Sequence, residues 1–295
     1  MQFGIALPTH GPHARPAAIA QVAREAEQRG YATLWVLERQ LRPTGSTMPA
    51  SYAVAYDPLE VLAWVAAQTT RIRLGTSIII APLHAPVVIA RRFATLDHLS
   101  GGRVIAGLGQ GYAPEEFRTV GVPMRRRGRG FEEFIAAMRA AWGPDPVRFS
   151  GRVYQIPDAE IGPKPLQAGG PPVIVAAREP AAVARAGRIG DGFNPVAAAW
   201  ENLQRAIDGF RAAAAATGRD ASRLPVIVRA NTTVSTSPQP DPRPPLSGSH
   251  AQVVEDLARL QSWSVAEVFF DMNRFGVAPL EQLRLMDRLR QALGG

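Results

Sequence analysis

The side chains that could do chemistry in this sequence are few, and they form none of the familiar catalytic motifs. The 295 residues include no cysteine, and the histidines (His10, His13, His84, His98 and His250) are scattered along the chain. The sequence has no HExxH zinc motif, no GxSxG nucleophile elbow and no Walker phosphate loop. It therefore gives little support to a metal site or a serine hydrolase. It favours an enzyme whose chemistry resides in a bound organic cofactor.

The stretch "RLGTSIIIAPLH" at 73–84 has the apolar content of a buried parallel strand but is interrupted near its middle. Gly75, Thr76 and Ser77 stand where a plain run of Val, Ile or Leu is typical. Small residues at this place predict either a bulge in the strand or a point where a flat ligand contacts the backbone. The residues alone leave both explanations open.

Two further stretches end a strand with small residues. "GLGQGYAPEEF" at 107–117 contains three alternating glycines, which allow close approach of a ligand or of neighbouring backbone. "VIVAAREPAAVARAG" at 173–187 is predicted to be a strand, a short turn and a helix N-terminus, where free N–H groups and the helix dipole favour a phosphate. Tight packing and an ordinary strand–helix turn are the simpler explanations.

Strands and helices alternate along the chain, which is typical of an α/β protein with a parallel sheet and crossover helices. The predicted strands are 2–7, 32–37, 71–82, 103–109, 172–177, 191–196, 225–234 and 265–272. The predicted helices are 15–30, 57–69, 86–102, 129–142, 179–190, 199–218, 250–263 and 278–293. Eight units favour closure into a (β/α)8 TIM barrel. A doubly wound open sheet is the alternative, but the first turn, "LPTHGPHA", lacks the glycine-rich phosphate loop of that fold.

The sequence predicts a single domain over 1–295, with an irregular insertion at about 143–171 between helix 4 and strand 5 and a Pro-rich loop at 235–249. The active site of such a barrel lies at the carboxyl ends of its strands. The side chains to consider there include His10, Glu38, Arg39, His84 and Asn231.

The formal net charge is +8, carried almost wholly by arginine, since Lys164 is the only lysine. The one basic cluster, "MRRRGRG" at 124–130, has no interleaved aromatic residues, so we expect no nucleic-acid partner. Codon bias and an anionic ligand both explain the charge. No apolar run reaches the roughly 18 residues of a membrane span. Together with the missing leader pattern and the lack of cysteine, this predicts a cytoplasmic protein without a membrane partner.

Several blocks resemble the bacterial luciferase-like flavin and deazaflavin oxidoreductases, also called luciferase-like monooxygenases, over nearly the whole chain. The resemblance is carried by "FGIALP" (3–8), "GYATLWV" (30–36), "YDPLEVLAWVAAQTTRIRLGTSI" (56–78), "ATLDHLSGGRVIAGLGQGYAPEEF" (94–117), "GVPMRRRG" (121–128), "GPKPLQ" (162–167) and "AGRIGDGF" (186–193). "RIRLGTS" and "LDHLSGGR" are the most specific of these blocks.

The resemblance implies a bulge with a non-prolyl cis peptide at Ser77–Ile78 that backs the central ring of the cofactor, with Thr76 small enough to admit it. It also implies that one turn holds the cofactor phosphate and that three further residues lie along the cofactor's side. The turn residues are Ala176, Ala177, Arg178 and Glu179, and the flanking residues are Gln110, Gly111 and Glu116.

Both coenzyme F420 and FMN use this type of barrel, and "LGTSI" with the "AAxxP" turn resembles the F420 branch more closely. One departure concerns the residues after strand 2, where many relatives have an acidic residue followed by histidine. Here the pair is Glu38–Arg39. Glu38 can orient the cofactor or accept a proton, whereas Arg39 stays protonated and suits a substrate oxygen or anion. His10 or His84 is a candidate for the missing proton carrier.

The resemblance thus implies an F420-dependent oxidoreductase that transfers a hydride between the deazaflavin and a small organic substrate, and a homodimer. An FMN-dependent monooxygenase with a separate flavin reductase is the alternative. A non-catalytic flavin- or deazaflavin-binding protein is the second alternative, suggested by the lost histidine. The loops at 39–56, 111–130 and 235–249 would select the substrate, and their sequences do not identify it.

Overall fold

Eight parallel strands form the wall of a nearly closed barrel, as the sequence predicted. The structure is a computed structural model that describes residues 1–294, so the predicted domain ends one residue beyond the described part. Its strands are β1 (Gln2–Ala6), β2 (Thr33–Val36), β3 (Arg73–Thr76), β4 (Ile79–Ile80), β5 (Val104–Gly109), β6 (Val147–Ser150), β7 (Gln155–Ala159), β8 (Val173–Val175), β9 (Gly192–Phe193), β10 (Ile227–Ala230), β11 (Val234–Ser235), β12 (Gly248–Ser249) and β13 (Glu267–Phe270).

The sheet runs in the order β10, β13, β1, β2, β3, β5, β8, β9, and every pair along it is parallel. Parallel bridges from Phe193 to Val226 and from Val196 to Arg229 link β9 towards β10, which brings the two edges of the sheet together. The third barrel strand is in two pieces, because β4 pairs with β5 after the break that follows β3. The predicted strand over 71–82 is therefore divided at the stretch of small residues.

The outer layer consists of helices in the predicted places, with ends that differ by a few residues. They are α1 (Pro16–Gln28), α2 (Pro58–Ala66), α3 (Pro86–Ser100), α4 (Pro114–Thr119), α5 (Arg129–Trp142), α6 (Pro180–Ile189), α7 (Trp200–Ala215), α8 (His250–Ser262) and α9 (Pro279–Ala292). Asp57 caps α2 by accepting a hydrogen bond from the Leu59 N–H at 3.2 Å, and Pro58 is the first helical residue. Helix α4 follows β5 after a short loop, and the sequence did not predict it.

The centre of the barrel is filled by apolar side chains, and Trp35 is the largest of them. Its ring stacks on Phe269 with the ring centres 5.0 Å apart. A Cβ atom at Gly75 would collide with the Trp35 ring, so this glycine makes room for the aromatic core. The first small residue of the 73–84 stretch is therefore explained by packing inside the barrel.

The two irregular segments are held outside the barrel wall. The 143–171 insertion contains an antiparallel hairpin of β6 and β7. The Pro-rich loop is fastened by Arg243, whose guanidinium donates to both oxygens of Asp256 at 2.5 and 2.8 Å. Short strands β11 and β12 pair at the two ends of the loop.

No helix within residues 1–294 is long and apolar enough to cross a membrane. In the same part of the chain, no three His, Asp or Glu side chains come together in a way that could hold a metal ion.

Candidate active site

A cavity of about 480 Å³ lies at the carboxyl ends of the barrel strands. Its volume falls in the range of pockets that hold cofactors and small ligands. Most of the predicted site residues line it: Glu38, Arg39, Ser77, Ile78, Gln110, Gly111, Ala176, Ala177, Arg178 and Glu179. Asn231 also lines it, whereas Thr76, His10, His84 and Glu116 lie in the layer of residues around it. Topology explains this clustering, since parallel strands all end at the same rim.

Thr76 and Ser77 are adjacent in sequence, but their side chains make different contacts. The Thr76 hydroxyl donates to the Gly107 carbonyl oxygen at 2.7 Å and accepts from the Gly107 N–H at 2.9 Å, so it binds β3 to β5. The Ser77 hydroxyl lies at the cavity and donates to the side-chain oxygen of Asn194 at 2.6 Å. The Asn194 amide in turn donates to the Ile227 carbonyl at 2.7 Å.

The peptide bond between Ser77 and Ile78 is cis, as the family resemblance implied. The alternating glycines of β5 make room for this bulge. A Cβ atom at Gly107 would collide with the Thr76 carbonyl, and one at Gly109 would lie 2.8 Å from the Ile78 side chain. These glycines therefore serve close packing between strands, which the sequence left as one of two explanations.

The Glu38 carboxylate is buried and has hydrogen-bond partners at both oxygens. One oxygen accepts from the Ile80 N–H at 2.5 Å. The other lies 2.6 Å from His84 Nε2 and accepts from the Gln40 amide at 2.7 Å. The exposed fraction is 3% for the Glu38 side chain and 18% for that of His84, so the pair connects the cavity with the surface. His84 thus belongs to the site through Glu38, although it does not line the cavity.

Arg39 is held between two aromatic rings and a buried carboxylate. Its guanidinium carbon lies 5.0 Å from the ring centre of Tyr52 and 5.1 Å from that of Tyr112. Its Nη1 donates to Glu116 at 2.8 Å. Glu116 also accepts from the Gln40 N–H, and burial raises the pKa of Glu116 although Arg39 opposes this. We predicted Glu116 along the cofactor's side. The structure instead places it against Arg39, because helix α4 turns it into the interior.

His10 lies in a polar cluster that the sequence did not identify as a unit. Its Nε2 is 3.4 Å from Asp271, and its ring stands 5.5 Å from that of Tyr52, yet neither ring nitrogen has a hydrogen-bond partner within the described chain. Burial lowers the pKa of His10. Asp271 opposes this shift, and the positive charges of Arg229 and Arg274 add to it, so the ring is neutral near pH 7.

Arg229 lines the cavity, and sequence reasoning did not single it out. It donates to Asp271 at 2.5 Å, to the Ser77 carbonyl at 2.5 Å and to Asn231 at 2.9 Å. Burial would raise the pKa of Asp271, but the charge of Arg229, its hydrogen bond to Asp271 and the Asn273 N–H lower it. A signal was available, because an arginine inside the apolar run "PVIVRA" needs a buried partner.

The N-terminus of α6 offers unpaired backbone donors to the cavity. The Ala176 N–H donates to the Leu108 carbonyl at 2.9 Å and so belongs to the sheet. The N–H groups of Ala177, Arg178, Glu179 and Ala181 find no acceptor within residues 1–294, and Glu179 makes no side-chain cap. The Arg178 side chain lines the same part of the cavity. Free N–H groups, the helix dipole and a guanidinium suit a phosphate.

Gln110 and Arg127 flank this end of the cavity. The Gln110 side-chain oxygen accepts from the Gly128 N–H at 2.6 Å, which joins the loop after β5 to the start of α5. Arg127 Nε is buried and has no partner within the described chain. Its neighbours Arg125 and Arg126 do not line the cavity. Only the third arginine of the basic cluster therefore belongs to the site.

The chain is similar in sequence to known proteins and in fold to solved structures. A protein of Mycobacterium tuberculosis described as uncharacterised is 32% identical over 289 residues, which is 92% of each chain. The F420-dependent glucose-6-phosphate dehydrogenase of Mycolicibacterium fortuitum is 32% identical over 232 residues, or 75% of this chain and 67% of that protein. The crystal structure of monooxygenase RslO1 from Streptomyces bottropensis has a TM-score of 0.77 and 22% identity, covering 97% of both chains.

The sequence profile described as luciferase-like monooxygenase matches residues 1–240. The relatives include F420-dependent dehydrogenases as well as monooxygenases, so the family is one of flavin or F420 oxidoreductases. The resemblance read from the "RIRLGTS" and "LDHLSGGR" blocks is thereby confirmed. This chain belongs to the luciferase-like monooxygenase family.

Proposed function

We propose that this chain is a coenzyme F420-dependent oxidoreductase that transfers a hydride between the deazaflavin and a small organic substrate. The observation that carries the proposal is the cavity itself. One part of it is backed by Ser77 and Ile78, and another ends at the unpaired N–H groups of α6. The name of the Mycolicibacterium fortuitum relative supports F420.

The residues present fit such a cofactor. Ala177, Arg178 and Glu179 would hold its phosphate through backbone N–H groups and one guanidinium, while Ser77, Ile78 and Gln110 would contact its ring system. When bound, the deazaflavin supplies the hydride chemistry, and the protein supplies position and the exclusion of water.

The proton that accompanies hydride transfer needs a carrier from the protein. The Glu38–His84 pair is suited to this role because Glu38 lines the cavity and His84 is partly exposed. We predict that Glu38 exchanges the proton at the cavity and that His84 passes it to solvent. His10 is the second candidate, since neither of its ring nitrogens has a hydrogen-bond partner within residues 1–294. Arg39 stays charged and would bind an oxygen or anion of the substrate.

An FMN-dependent monooxygenase with a separate flavin reductase is the alternative, favoured by the matching family profile and the monooxygenase among the relatives. A non-catalytic cofactor-binding protein is the second alternative, since Arg39 replaces the usual histidine. We also propose a homodimer. The exposed Trp64, Val88 and Leu99 on α2 and α3 support it, and light scattering of the purified protein tests it.

The deciding experiment is calorimetric titration of the purified protein with F420 and with FMN. We expect micromolar or tighter binding of F420 and at least tenfold weaker binding of FMN. Preference for FMN would replace the proposal with the monooxygenase alternative. If the protein binds neither cofactor, the F420 proposal and the FMN alternative are both contradicted. If it binds F420 but turns over no reducible substrate, the non-catalytic alternative is favoured.

A further inference from the structure

The carbonyl group of Ser77 has no partner in the sheet. Ser77 lies in the break between β3 and β4, and no backbone N–H within residues 1–294 donates to its carbonyl oxygen. The groups next to it are bonded to the backbone, since the Ser77 N–H donates to the Val36 carbonyl at 2.6 Å and the Ile78 carbonyl accepts from the Glu38 N–H at 3.1 Å. The Ser77 carbonyl instead accepts from Nη1 of Arg229 at 2.5 Å. A side chain therefore replaces a sheet hydrogen bond at the wall of the cavity.

Arg229 reaches this carbonyl from the opposite side of the barrel. It lies in β10, and three strands separate β10 from β3 in each direction around the barrel. It lines both the cavity and a small void next to the Trp35 and Phe269 rings, so it lies between the aromatic core and the cavity. Its side chain is only 12% exposed. The guanidinium thus spans the barrel interior just below the candidate site.

The remaining donors of Arg229 are bound by the protein. Nη2 donates to Asp271 at 2.5 Å, and Nε donates to the Asn231 side-chain oxygen at 2.9 Å. Asp271 accepts in turn from the backbone N–H and the side-chain amide of Asn273, at 3.3 and 3.1 Å. The same amide donates to the Leu7 carbonyl at 3.0 Å. All three nitrogens of the guanidinium therefore have acceptors, and the protein itself fixes their positions.

Such an arginine is suited to hold backbone in place before a ligand arrives. Charge-assisted hydrogen bonds are stronger than neutral ones, so the Ser77 carbonyl is held firmly. Replacing a buried ion pair with apolar residues of similar size is often neutral or stabilising, so stability alone explains the pair of Arg229 and Asp271 poorly. A wall that is fixed in advance reduces the ordering that binding requires, and Ser77 and Ile78 form part of the cavity wall.

We infer that Arg229 is a positioning residue, which holds the Ser77 carbonyl from across the barrel and so fixes the wall against which the ring of the cofactor lies. Asp271 and Asn231 keep Arg229 in this position. The inference rests on the proposed function only in placing the cofactor ring against Ser77 and Ile78. It applies to F420 and to FMN alike.

The test is calorimetric titration of the full-length protein with whichever of F420 and FMN it binds, and with the same ring system lacking its phosphate. Arg229→Lys keeps a positive charge beside Asp271, but the compact ammonium cannot span the three acceptors. We expect it to weaken both forms of the cofactor about tenfold and to leave the ratio of their affinities unchanged, because the ring contacts are altered and the phosphate contacts are not. The absorption spectrum of the bound cofactor should also shift, since it reports the surroundings of the ring.

Arg103→Lys is the matched control. Arg103 also donates to backbone carbonyls, those of Ala66, Thr69 and Ile72, at 3.1, 3.0 and 2.8 Å. These carbonyls precede β3, at the opposite end of the barrel from the cavity. Arg103→Lys should lower the free energy of unfolding but leave both affinities and the spectrum unchanged.

Unchanged affinity and spectrum in Arg229→Lys would overturn the inference, and Arg229 would then serve only to pair with Asp271. Weaker binding of the phosphate-bearing form alone would place its effect at the α6 end and also overturn the inference. Equal weakening in Arg103→Lys would do the same, because affinity would then follow stability. If Arg229→Lys does not fold, the double variant Arg229→Gln with Asp271→Asn removes both charges of the pair and should show the same tenfold loss.

The proposed function and this inference can fail separately. A wild type that prefers FMN contradicts the F420 proposal, while a loss of FMN affinity in Arg229→Lys still supports the inference. A wild type that binds F420, with unchanged binding in Arg229→Lys, contradicts the inference alone. If the wild type binds neither cofactor, both are contradicted.

Discussion

A buried carboxylate lies at each end of strand β13, and the two carboxylates differ in how completely their surroundings are hydrogen-bonded. Glu267, at the start of the strand, accepts from Trp35 Nε1 at 2.7 Å, Thr33 Oγ1 at 3.0 Å and Arg73 Nη2 at 2.9 Å. Asp271, just after the strand, accepts from Arg229 but lies beside His10, whose ring nitrogens have no hydrogen-bond partner in the described part of the chain. The Glu267 network is complete within the protein, whereas the Asp271 network is not.

This difference distinguishes the end of the barrel at Glu267, which stabilises the fold, from the end at Asp271, where the candidate site lies. At the Glu267 end, hydrogen bonds from three side chains join three strands and satisfy both oxygens of the buried carboxylate. At the Asp271 end, Arg39 Nε, Arg127 Nε and both His10 ring nitrogens are buried and have no hydrogen-bond partner within residues 1–294. Buried polar groups without partners are rare in a folded protein, and the carboxyl ends of the strands form the active-site face of a barrel, so we expect the Asp271 end to bind the ligand. Changes at the two ends should consequently affect different properties.

The largest expected effect is at the scaffold end. Glu267→Ala leaves the buried N–H of Trp35 and the hydroxyl of Thr33 without an acceptor, and should lower the free energy of unfolding by about 2–4 kcal/mol. Arg73 contributes little to this loss because its side chain is 43% exposed. Urea denaturation measures the change. Glu267→Gln, which keeps an acceptor for Trp35, should cost clearly less, and equal losses in both variants would refute this account.

At the ligand end, Arg178→Ala should weaken cofactor binding about ten- to one-hundredfold by removing a charge-assisted contact to the phosphate. The free energy of unfolding should stay within about 0.5 kcal/mol of the wild type, since Arg178 makes no ion pair within the described chain. Titration calorimetry and urea denaturation give the two values. Arg188→Ala, on the same helix but paired with Glu132, is the control and should leave affinity unchanged. Comparable losses in both variants would contradict a phosphate site at Arg178.

The boundary between the two regions passes between Thr76 and Ser77, and their substitution sharpens the comparison. Thr76→Val removes both hydrogen bonds to Gly107 and should cost about 1–3 kcal/mol of stability. Ser77→Ala removes only the bond to Asn194 at the cavity and should cost about 0.5–1.5 kcal/mol. Cofactor affinity should fall more in Ser77→Ala than in Thr76→Val. The opposite order in either property would place the boundary elsewhere.

The smallest effect concerns the pH dependence of stability. The folded protein holds the pKa of His10 below its ordinary value of 6.5 because the ring is buried. As the pH falls through about 6.5, His10 is protonated in the unfolded chain but stays neutral in the folded chain. The free energy of unfolding therefore decreases on acidification. The contribution of His10 to the change in free energy of unfolding is at most about 1.4 kcal/mol per pH unit. His10→Asn should remove it.

Denaturation of wild type and His10→Asn at several values between about pH 5 and pH 7.5 isolates this contribution. Glu116 and Glu267 act in the opposite sense, because their raised pKa values favour the folded state in acid and lose that benefit as the pH rises. They are present in both proteins and cancel in the difference. Parallel stability profiles would show that His10 is not held neutral.

The sequence by itself determined the fold class and the general location of the site. Regular alternation of apolar strands and amphipathic helices specifies a parallel sheet, and eight repeats specify closure. Parallel strands end at one rim, so Glu38, Ser77, Gln110 and Arg178 were expected together without knowledge of any distance. The cis peptide at Ser77–Ile78 followed from the family resemblance of "RIRLGTS" and is present.

Only the tertiary structure decided what each of these residues does. Gly75, Thr76 and Ser77 look alike in sequence, yet one admits the Trp35 ring, one binds Gly107 and one lines the cavity. Arg229 was missed because its partner Asp271 lies 42 positions further along the chain. Pairings of this kind depend on which strands become neighbours and on how each side chain is oriented, and neither is encoded by local composition or periodicity. Arg39 is anchored only because folding brings Glu116, Tyr52 and Tyr112 around it.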